Sequence, residues 1–209
     1  SQQHKLKKIA VRFSDFSLPK IRMQAKDLAE SLAIHFEMAN FEFVHYKTPP
    51  DDGWDAIEEV YIIGPKNKAI EKGIERGQII AQEVNNSRIL ANTPGGDMTP
   101  ELLALAAKGA VQKLGVKVRI LEEKEIKHLG MGGVLGVAKG SNEKPKFIIL
   151  EYLPKKTGRP IVLVGKGVTF DSGGYNVKPY PYILNMKDDK GGAIAAMHII
   201  EACAKLKLP

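Results

Sequence analysis

The sequence predicts an α/β fold with a largely parallel or mixed sheet, because short β-branched runs alternate with segments of helical periodicity. With 44% hydrophobic residues, the 209-residue chain has enough apolar material for a core. Its single cysteine, Cys203, excludes an intrachain disulfide framework. No apolar run is long enough to span a bilayer and no signal peptide is recognisable, so a cytoplasmic protein is favoured.

Three strand patterns and one helix pattern fill the first 66 residues. Lys8–Phe13 alternates with a period of two and predicts the first strand. A helix follows from Leu18-Pro19, with apolar residues at helical spacing as far as Phe36. Phe41–Tyr46 and Val60–Ile63 predict the second and third strands. We interpret residues 1–66 as an N-terminal α/β domain.

One long helix is predicted from Asn67 to Asn92, where isoleucine, valine and leucine residues form an apolar stripe. It exceeds the usual length of a globular helix. We interpret residues 67–92 as a connector between two domains, and a core helix of a single domain is the alternative.

Residues 93–209 return to alternating elements. Thr99-Pro100-Glu101 has the features of a helix start, with an N-cap hydroxyl, proline at the first helical position and an acid near the positive end of the helix dipole. That helix is expected to continue to Leu114. The later predictions are a strand at 116–121, a short helix at 122–128, a flexible turn at 130–133, strands at 146–153 and 160–164, and an amphipathic helix at 191–206.

A glycine-rich loop after the strand ending at Gly165 carries Lys166, Asp171 and Lys178. Sites in open α/β sheets form outside the carboxyl ends of strands, so this position favours function. The loop lacks the spacing of a phosphate-binding loop, and the chain has no dinucleotide-binding fingerprint. A simple turn aspartate is the structural alternative for Asp171 taken alone.

A second acidic cluster, Asp188-Asp189, lies at the start of the last helix. In isolation such a pair is more often a helix cap than a ligand. Together, the two clusters bring carboxylates and amines into the stretch 166–189. Oxygen donors with a nitrogen donor suit a divalent cation such as zinc, manganese or magnesium.

These residues resemble the leucyl (cytosol) aminopeptidase family. The matching motifs are Val164-Gly-Lys-Gly-Val-Thr-Phe-Asp-Ser-Gly-Gly174, Val177-Lys178-Pro179 and Met186-Lys-x-Asp189-x-Gly-Gly-Ala193. Weaker agreement reaches back through Gly130–Ser141 and Asn92-x-Pro94, so that the resemblance covers roughly 71–209.

The resemblance implies a two-metal exopeptidase acting on the N-terminal, leucine-like residues of peptides. By analogy Lys166, Asp171 and Asp189 are metal ligands, with Asp171 bridging two ions of zinc or manganese, magnesium being possible. Lys178 is the catalytic lysine that binds and polarises the scissile carbonyl, and Met186 lines the pocket for the first side chain. The implied fold is a shortened N-terminal α/β domain joined by the long helix to the first part of a mixed-sheet catalytic domain at 93–209. The full-length family member is expected to be a homohexamer.

Two departures from the family pattern affect this expectation. Lys190 stands where the family has methionine, which is expected to add positive charge beside Asp189 and to weaken a metal site there. The family's second motif, Asn-Thr-Asp-Ala-Glu-Gly-Arg, does not occur in these 209 residues. We therefore expect an incomplete and inactive portion of an aminopeptidase.

A non-catalytic family member with a DNA-binding or scaffolding role is the rival interpretation. The net charge of +7 would attract nucleic acid. However, the lysines are scattered among acids, which gives only weak non-specific attraction.

Overall fold

The computed structural model describes residues 6–17, 20, 22–155 and 158–209. The chain divides after Asn85 into two compact units, 1–85 (unit 1) and 86–209 (unit 2). The division falls within the long helix.

Unit 1 is built on a parallel pair of strands. Strand β1 is Lys8–Arg12 and strand β2 is Glu59–Ile63, paired from Lys8 with Glu59 to Arg12 with Ile63. Parallel strands need a crossover, and helix α1, Ala25–Ala39, lies between them in sequence. A 3₁₀ turn at Phe13–Phe16 follows β1. The core of unit 1 consists of apolar side chains from the 3₁₀ turn, α1, β2 and the start of the long helix: Phe13, Ala29, Leu32 and Ile70, with Leu28, Phe36, Ile62 and Ile74 packed against them.

Helix α2, Lys68–Asn92, confirms the long helix predicted from the apolar stripe. In unit 1 it lies almost backbone to backbone against α1. A Cβ atom added to Gly77 would press into the carbonyl oxygen of Glu30 and lie 2.7 Å from the Cβ of Ala33. Arg76 Nε donates to Glu30 Oε2 at 2.9 Å beside this contact.

The predicted strand at Phe41–Tyr46 is wrong, because the structure has no strand there. The rings of Phe43, His45 and Tyr46 gather into one cluster, with centroids 5.9 to 6.1 Å apart. A strand would place neighbours 45 and 46 on opposite faces, so this cluster and strand geometry exclude each other. Just beyond it, Lys47 Nζ lies 5.9 Å from the ring centre of Trp54.

The predicted helix start at Leu18-Pro19 and the neighbouring Ile21 fall outside the described residues. The helix that the structure does describe begins at Ala25. The third predicted strand is confirmed one residue longer, as Glu59–Ile63.

Unit 2 contains the end of α2 and a second, antiparallel pair of strands. Strand β3, Lys117–Leu121, and strand β4, Phe147–Glu151, pair from Lys117 with Glu151 to Leu121 with Phe147. The elements are α3 Pro100–Ala110, β3 Lys117–Leu121, α4 Glu123–His128, α5 Gly132–Ala138, β4 Phe147–Glu151, a 3₁₀ helix at Met186–Lys190 and α6 Gly191–Lys205. The core of unit 2 consists of Met98, Leu103 and Ile194 with Leu90, Ala91 and Ile148 packed against them.

Helix α3 begins as predicted: the backbone N–H of Leu102 donates to Thr99 Oγ1 at 3.3 Å, and Pro100 takes the first position. The helix ends at Ala110, earlier than predicted, because Val111 leaves the helical region with a φ of −99° and a ψ of 7°. Lys113 then adopts a φ of 68°. Part of the predicted turn at 130–133 is also helical, since Gly132 and Gly133 begin α5.

The predicted strand at 160–164 is wrong. Within the described ranges these residues pair with no strand, and Ile161 and Val164 are 90% and 93% exposed. Apolar β-branched residues favour a strand, but a strand also needs a neighbour that completes its hydrogen bonds.

The predicted α/β class is confirmed, with the four described strands divided between one parallel and one antiparallel pair. Across the part of the chain that the structure describes, no helix combines the length and the apolarity that crossing a bilayer requires.

Candidate metal centre

Close backbone contact joins the glycine-rich loop to the start of α6. The N–H of Ala193 donates to the carbonyl of Lys166 at 2.8 Å. A Cβ atom on Gly165 would lie 2.5 Å from the carbonyl carbon of Gly192 and 2.6 Å from the Cα of Ala193. Only glycine permits this approach at position 165. The contact carries Lys166 to the turn that holds Asp189.

The first pair in the site is Lys166 and Asp189. The Lys166 ammonium lies 2.9 Å from Asp189 Oδ1. This hydrogen bond, with a smaller contribution from the charge of Asp171, raises the pKa of Lys166. Two of the predicted ligands, Lys166 and Asp189, are therefore in direct contact.

The second oxygen of Asp189, Oδ2, is buried and has no hydrogen-bond partner among the described residues. The Asp189 side chain is only 17% exposed. A buried carboxylate oxygen without a partner carries a desolvation cost that a bound cation would remove.

The second pair is Asp171 and Lys178. Asp171 Oδ2 accepts from Lys178 Nζ at 2.7 Å, and Oδ1 accepts from the N–H of Gly173 at 2.8 Å. The pKa of Asp171 is lowered first by Lys178 and then by the Gly173 N–H. The Lys178 ammonium also lies 2.9 Å from Met186 Sδ. The side chains predicted for catalysis and for the substrate pocket thus lie side by side.

A tight turn brings Lys178 back onto Asp171. Gly173 has a φ of +80°, and the N–H of Lys178 donates to the carbonyl of Ser172 at 3.0 Å. A Cβ atom on Gly173 would lie 2.8 Å from Lys178 Cγ. The glycine is needed here both for its backbone conformation and for the space.

These donors fit a divalent cation. The set consists of two carboxylates, one with an unpartnered buried oxygen, and an amine that would coordinate after losing its proton. Each carboxylate contacts the ammonium of a lysine, Asp189 that of Lys166 and Asp171 that of Lys178.

Lys190 occupies a position that the sequence did not predict. It is fully buried, and its ammonium donates to the carbonyls of Ala91, Thr93 and Lys187, at 3.4 Å, 2.9 Å and 2.5 Å respectively. Burial lowers the pKa of Lys190. The ammonium is bound by backbone carbonyls, and the effect of its charge on a metal at Asp189 stays a prediction.

Comparison with known proteins gives three findings. The family model described as the catalytic domain of the cytosol aminopeptidase family matches residues 85–209. A probable cytosol aminopeptidase of Aquifex aeolicus is 40% identical over 186 residues, which are 88% of this chain and 36% of that protein. One of Chlorobaculum tepidum is 47% identical over 156 residues, 73% of this chain and 31% of that protein. The chain therefore spans about a third of the length of these relatives.

Among solved structures, the bottromycin maturation enzyme BotP in complex with Mn is similar, with a TM-score of 0.78 and 27% sequence identity. The match covers 97% of this chain and 41% of that one.

Proposed function

Because the chain belongs to the cytosol aminopeptidase family, we propose that it carries the metal-binding part of an aminopeptidase that removes N-terminal, leucine-like residues from peptides. The observation that supports this most directly is the contact of Lys166 with Asp189 at 2.9 Å, with Asp189 Oδ2 buried and unpartnered among the described residues. The cytoplasmic location indicated by the sequence and the boundaries 1–66, 67–92 and 93–209 stay part of this proposal.

In the proposed mechanism Lys166, Asp171 and Asp189 would hold two divalent ions. Ions bound there would polarise the peptide carbonyl and lower the pKa of a water molecule. Manganese or zinc is proposed, with magnesium possible; the Mn in the similar BotP complex supports manganese.

Lys178 is proposed to stabilise the negative charge that develops on the carbonyl oxygen. Its ammonium is held by Asp171 at 2.7 Å, so that its position is set before a substrate binds. Met186 lies against that ammonium and is proposed to contact the first side chain of the peptide. An apolar thioether at this position suits a leucine-like residue.

We also propose that these 209 residues alone hydrolyse peptides slowly or not at all. Two carboxylates and one amine are too few donors to saturate two ions, since zinc takes four ligands and magnesium six. The homohexamer that the family resemblance implies is likewise proposed for the full-length protein, and its mass in sedimentation would test it.

The metal centre is tested by titrating Mn²⁺ into the metal-free chain and measuring the free ion by electron paramagnetic resonance. Asp171→Asn and Asp189→Asn are each expected to weaken binding at least about tenfold, equivalent to about 1.4 kcal/mol. Asp188→Asn is the matched control, because this exposed neighbour is outside the proposed ligand set. Equal Mn²⁺ affinity in all three variants would contradict the proposal.

The peptidase is tested by hydrolysis of leucine amide in the presence of Mn²⁺ by a form of the protein as long as its relatives. Lys178→Ala is expected to abolish hydrolysis while Mn²⁺ still binds. A metal-free protein that binds DNA in a salt-sensitive manner would instead favour the non-catalytic rival.

A further inference from the structure

Three backbone carbonyls converge on the ammonium of Lys190. Those of Ala91 and Thr93 come from the end of α2, and that of Lys187 comes from the 3₁₀ helix before α6. An ammonium has three donors, so these three acceptors satisfy it completely. We call this arrangement the carbonyl clamp.

The carbonyl clamp forms at the end of α2, where backbone carbonyls need donors. The last four carbonyls of a helix have no intrahelical partner and form the negative end of its dipole. Ala91 is in that last turn, and Thr93 follows the helix directly. Thr93 is buried, so water does not readily replace the missing donors. A cation at this point satisfies acceptors that a neutral side chain would leave unpaired.

The same clamp encloses the metal-ligand candidate. Lys187 lies two residues before Asp189, and Lys190 follows it directly. The hydrogen bond from Lys190 Nζ to the Lys187 carbonyl therefore closes the turn around Asp189, and the other two bonds fix that turn to the end of α2. The carboxylate of Asp189 is thereby held where it meets Lys166.

We propose that Lys190 is a positioning residue whose ammonium serves as a built-in monovalent cation in the carbonyl clamp and thereby sets the divalent-metal affinity of Asp189. The inference rests on the proposed function for its metal readout. The clamp itself has a readout that needs no metal.

Chemical rescue tests this proposal. Lys190→Ala removes three methylene groups and the ammonium, so n-propylammonium has the size and charge to refill the clamp. Lys190→Ala is expected to bind Mn²⁺ at least about tenfold more weakly than wild type and to melt at a lower temperature. Propylammonium should restore most of both losses, whereas neutral propanol at the same concentration should restore neither. Lys108→Ala, which removes an exposed lysine of α3, is the control that should change neither measurement.

A folded Lys190→Ala chain with wild-type Mn²⁺ affinity would overturn the proposal. So would losses that propanol restores as well as propylammonium does, because packing alone would then explain them. Should Lys190→Ala not fold, Lys190→Met, which keeps the length of the side chain, replaces it in the metal titration. Refolding of Lys190→Ala by propylammonium but not propanol then supports the clamp, and refolding by neither overturns it.

Mn²⁺ binding by the wild-type chain distinguishes a failure of the proposed metal centre from a failure of the carbonyl clamp. If the wild-type chain binds no Mn²⁺, the proposed metal centre fails, and the amine-specific recovery of the melting temperature alone decides the clamp. If wild type and Lys190→Ala bind Mn²⁺ equally, the metal centre stands and the positioning role fails.

Discussion

Lys146 contacts two carboxylates of unit 2 outside the candidate metal centre. Its side chain is 9% exposed, and its ammonium contacts carboxylates of Glu101 at the start of α3 and Glu122 before α4, the latter at 2.5 Å. These two hydrogen bonds raise the pKa of Lys146, and desolvation opposes them only in part. One lysine preceding β4 therefore fixes the starts of two helices.

The raised pKa predicts how this contribution depends on pH. A lysine whose folded pKa exceeds its unfolded value near 10.5 stabilises the fold fully below that pH, and the contribution is lost as pH rises through the folded value. Lys146→Met should lower the free energy of unfolding by roughly 1–2 kcal/mol at pH 8. The difference from wild type should shrink at pH 11, as measured by urea denaturation.

The control is Lys117→Met, which removes a lysine that is 83% exposed and 3.3 Å from Glu151. An exposed pair of this kind contributes little, so its loss should change stability only slightly. If Lys146→Met lowers the free energy of unfolding equally at pH 8 and pH 11, the predicted dependence of stability on the protonation of Lys146 is contradicted.

The two clusters of the candidate site could be predicted because their residues are close in sequence and glycine-rich motifs surround them. Lys166 and Asp189 lie within one short stretch, and the structure brings them to 2.9 Å. The position of Lys190 could not be predicted in this way. Its acceptors at 91 and 93 are backbone carbonyls almost a hundred residues earlier, and carbonyls leave no signal in residue types.

At the scale of elements, glycines set how closely neighbouring segments approach. Gly77 of α2 faces the backbone of α1, so the methyl group of Gly77→Ala would overlap Glu30 and Ala33. We expect a loss of roughly 1–3 kcal/mol in the free energy of unfolding of unit 1. Gly109→Ala, near the end of α3 where nothing lies within 4 Å of an added Cβ, should instead be neutral or stabilise by up to about 1 kcal/mol. Urea denaturation followed by circular dichroism checks both, and equal effects would contradict the close packing.

A second glycine pair tests the scaffold of the candidate metal centre. Gly165→Ala would place a methyl group against the backbone of 192 and 193, and should separate the loop from α6. Mn²⁺ affinity is therefore expected to fall at least about tenfold. Gly191→Ala adds a methyl group one residue away from this contact, where nothing lies within 4 Å, and should leave the affinity unchanged. Wild-type affinity in Gly165→Ala would show that the loop binds metal without this contact.

The elements that could be predicted are those whose type follows from the periodicity of neighbouring residues. The stripe of α2 and the capped start of α3 were found from nearby residues alone. The segments 41–46 and 160–164 have the composition of strands, but strand formation depends on pairing with a distant segment. In 41–46 the aromatic rings contact each other, which a strand would not allow. Segment 160–164 has no partner strand among the described residues.

At the scale of the whole molecule, dispersed positive charge coexists with an exposed apolar segment. Ile161, Val162 and Val164 are 76% to 93% exposed, and within the described residues this stretch pairs with no strand. Such a stretch favours self-association, which a net charge of +7 opposes only weakly at physiological salt.

We therefore expect the chain to associate with rising concentration, and Val164→Lys to reduce the association severalfold in light scattering. Val137→Lys changes a valine of α5 that is 70% exposed and serves as the control for added charge alone. Equal reduction by both substitutions would assign the effect to net charge and contradict a role for the segment.

The contact between Lys47 and Trp54 has a practical consequence, because Trp54 is the only tryptophan in the chain and lies within residues 1–85. Its fluorescence emission therefore reports on unit 1, while circular dichroism averages over unit 1 and unit 2. Recording fluorescence and circular dichroism during one denaturation would show whether unit 1 and unit 2 unfold together or one after the other.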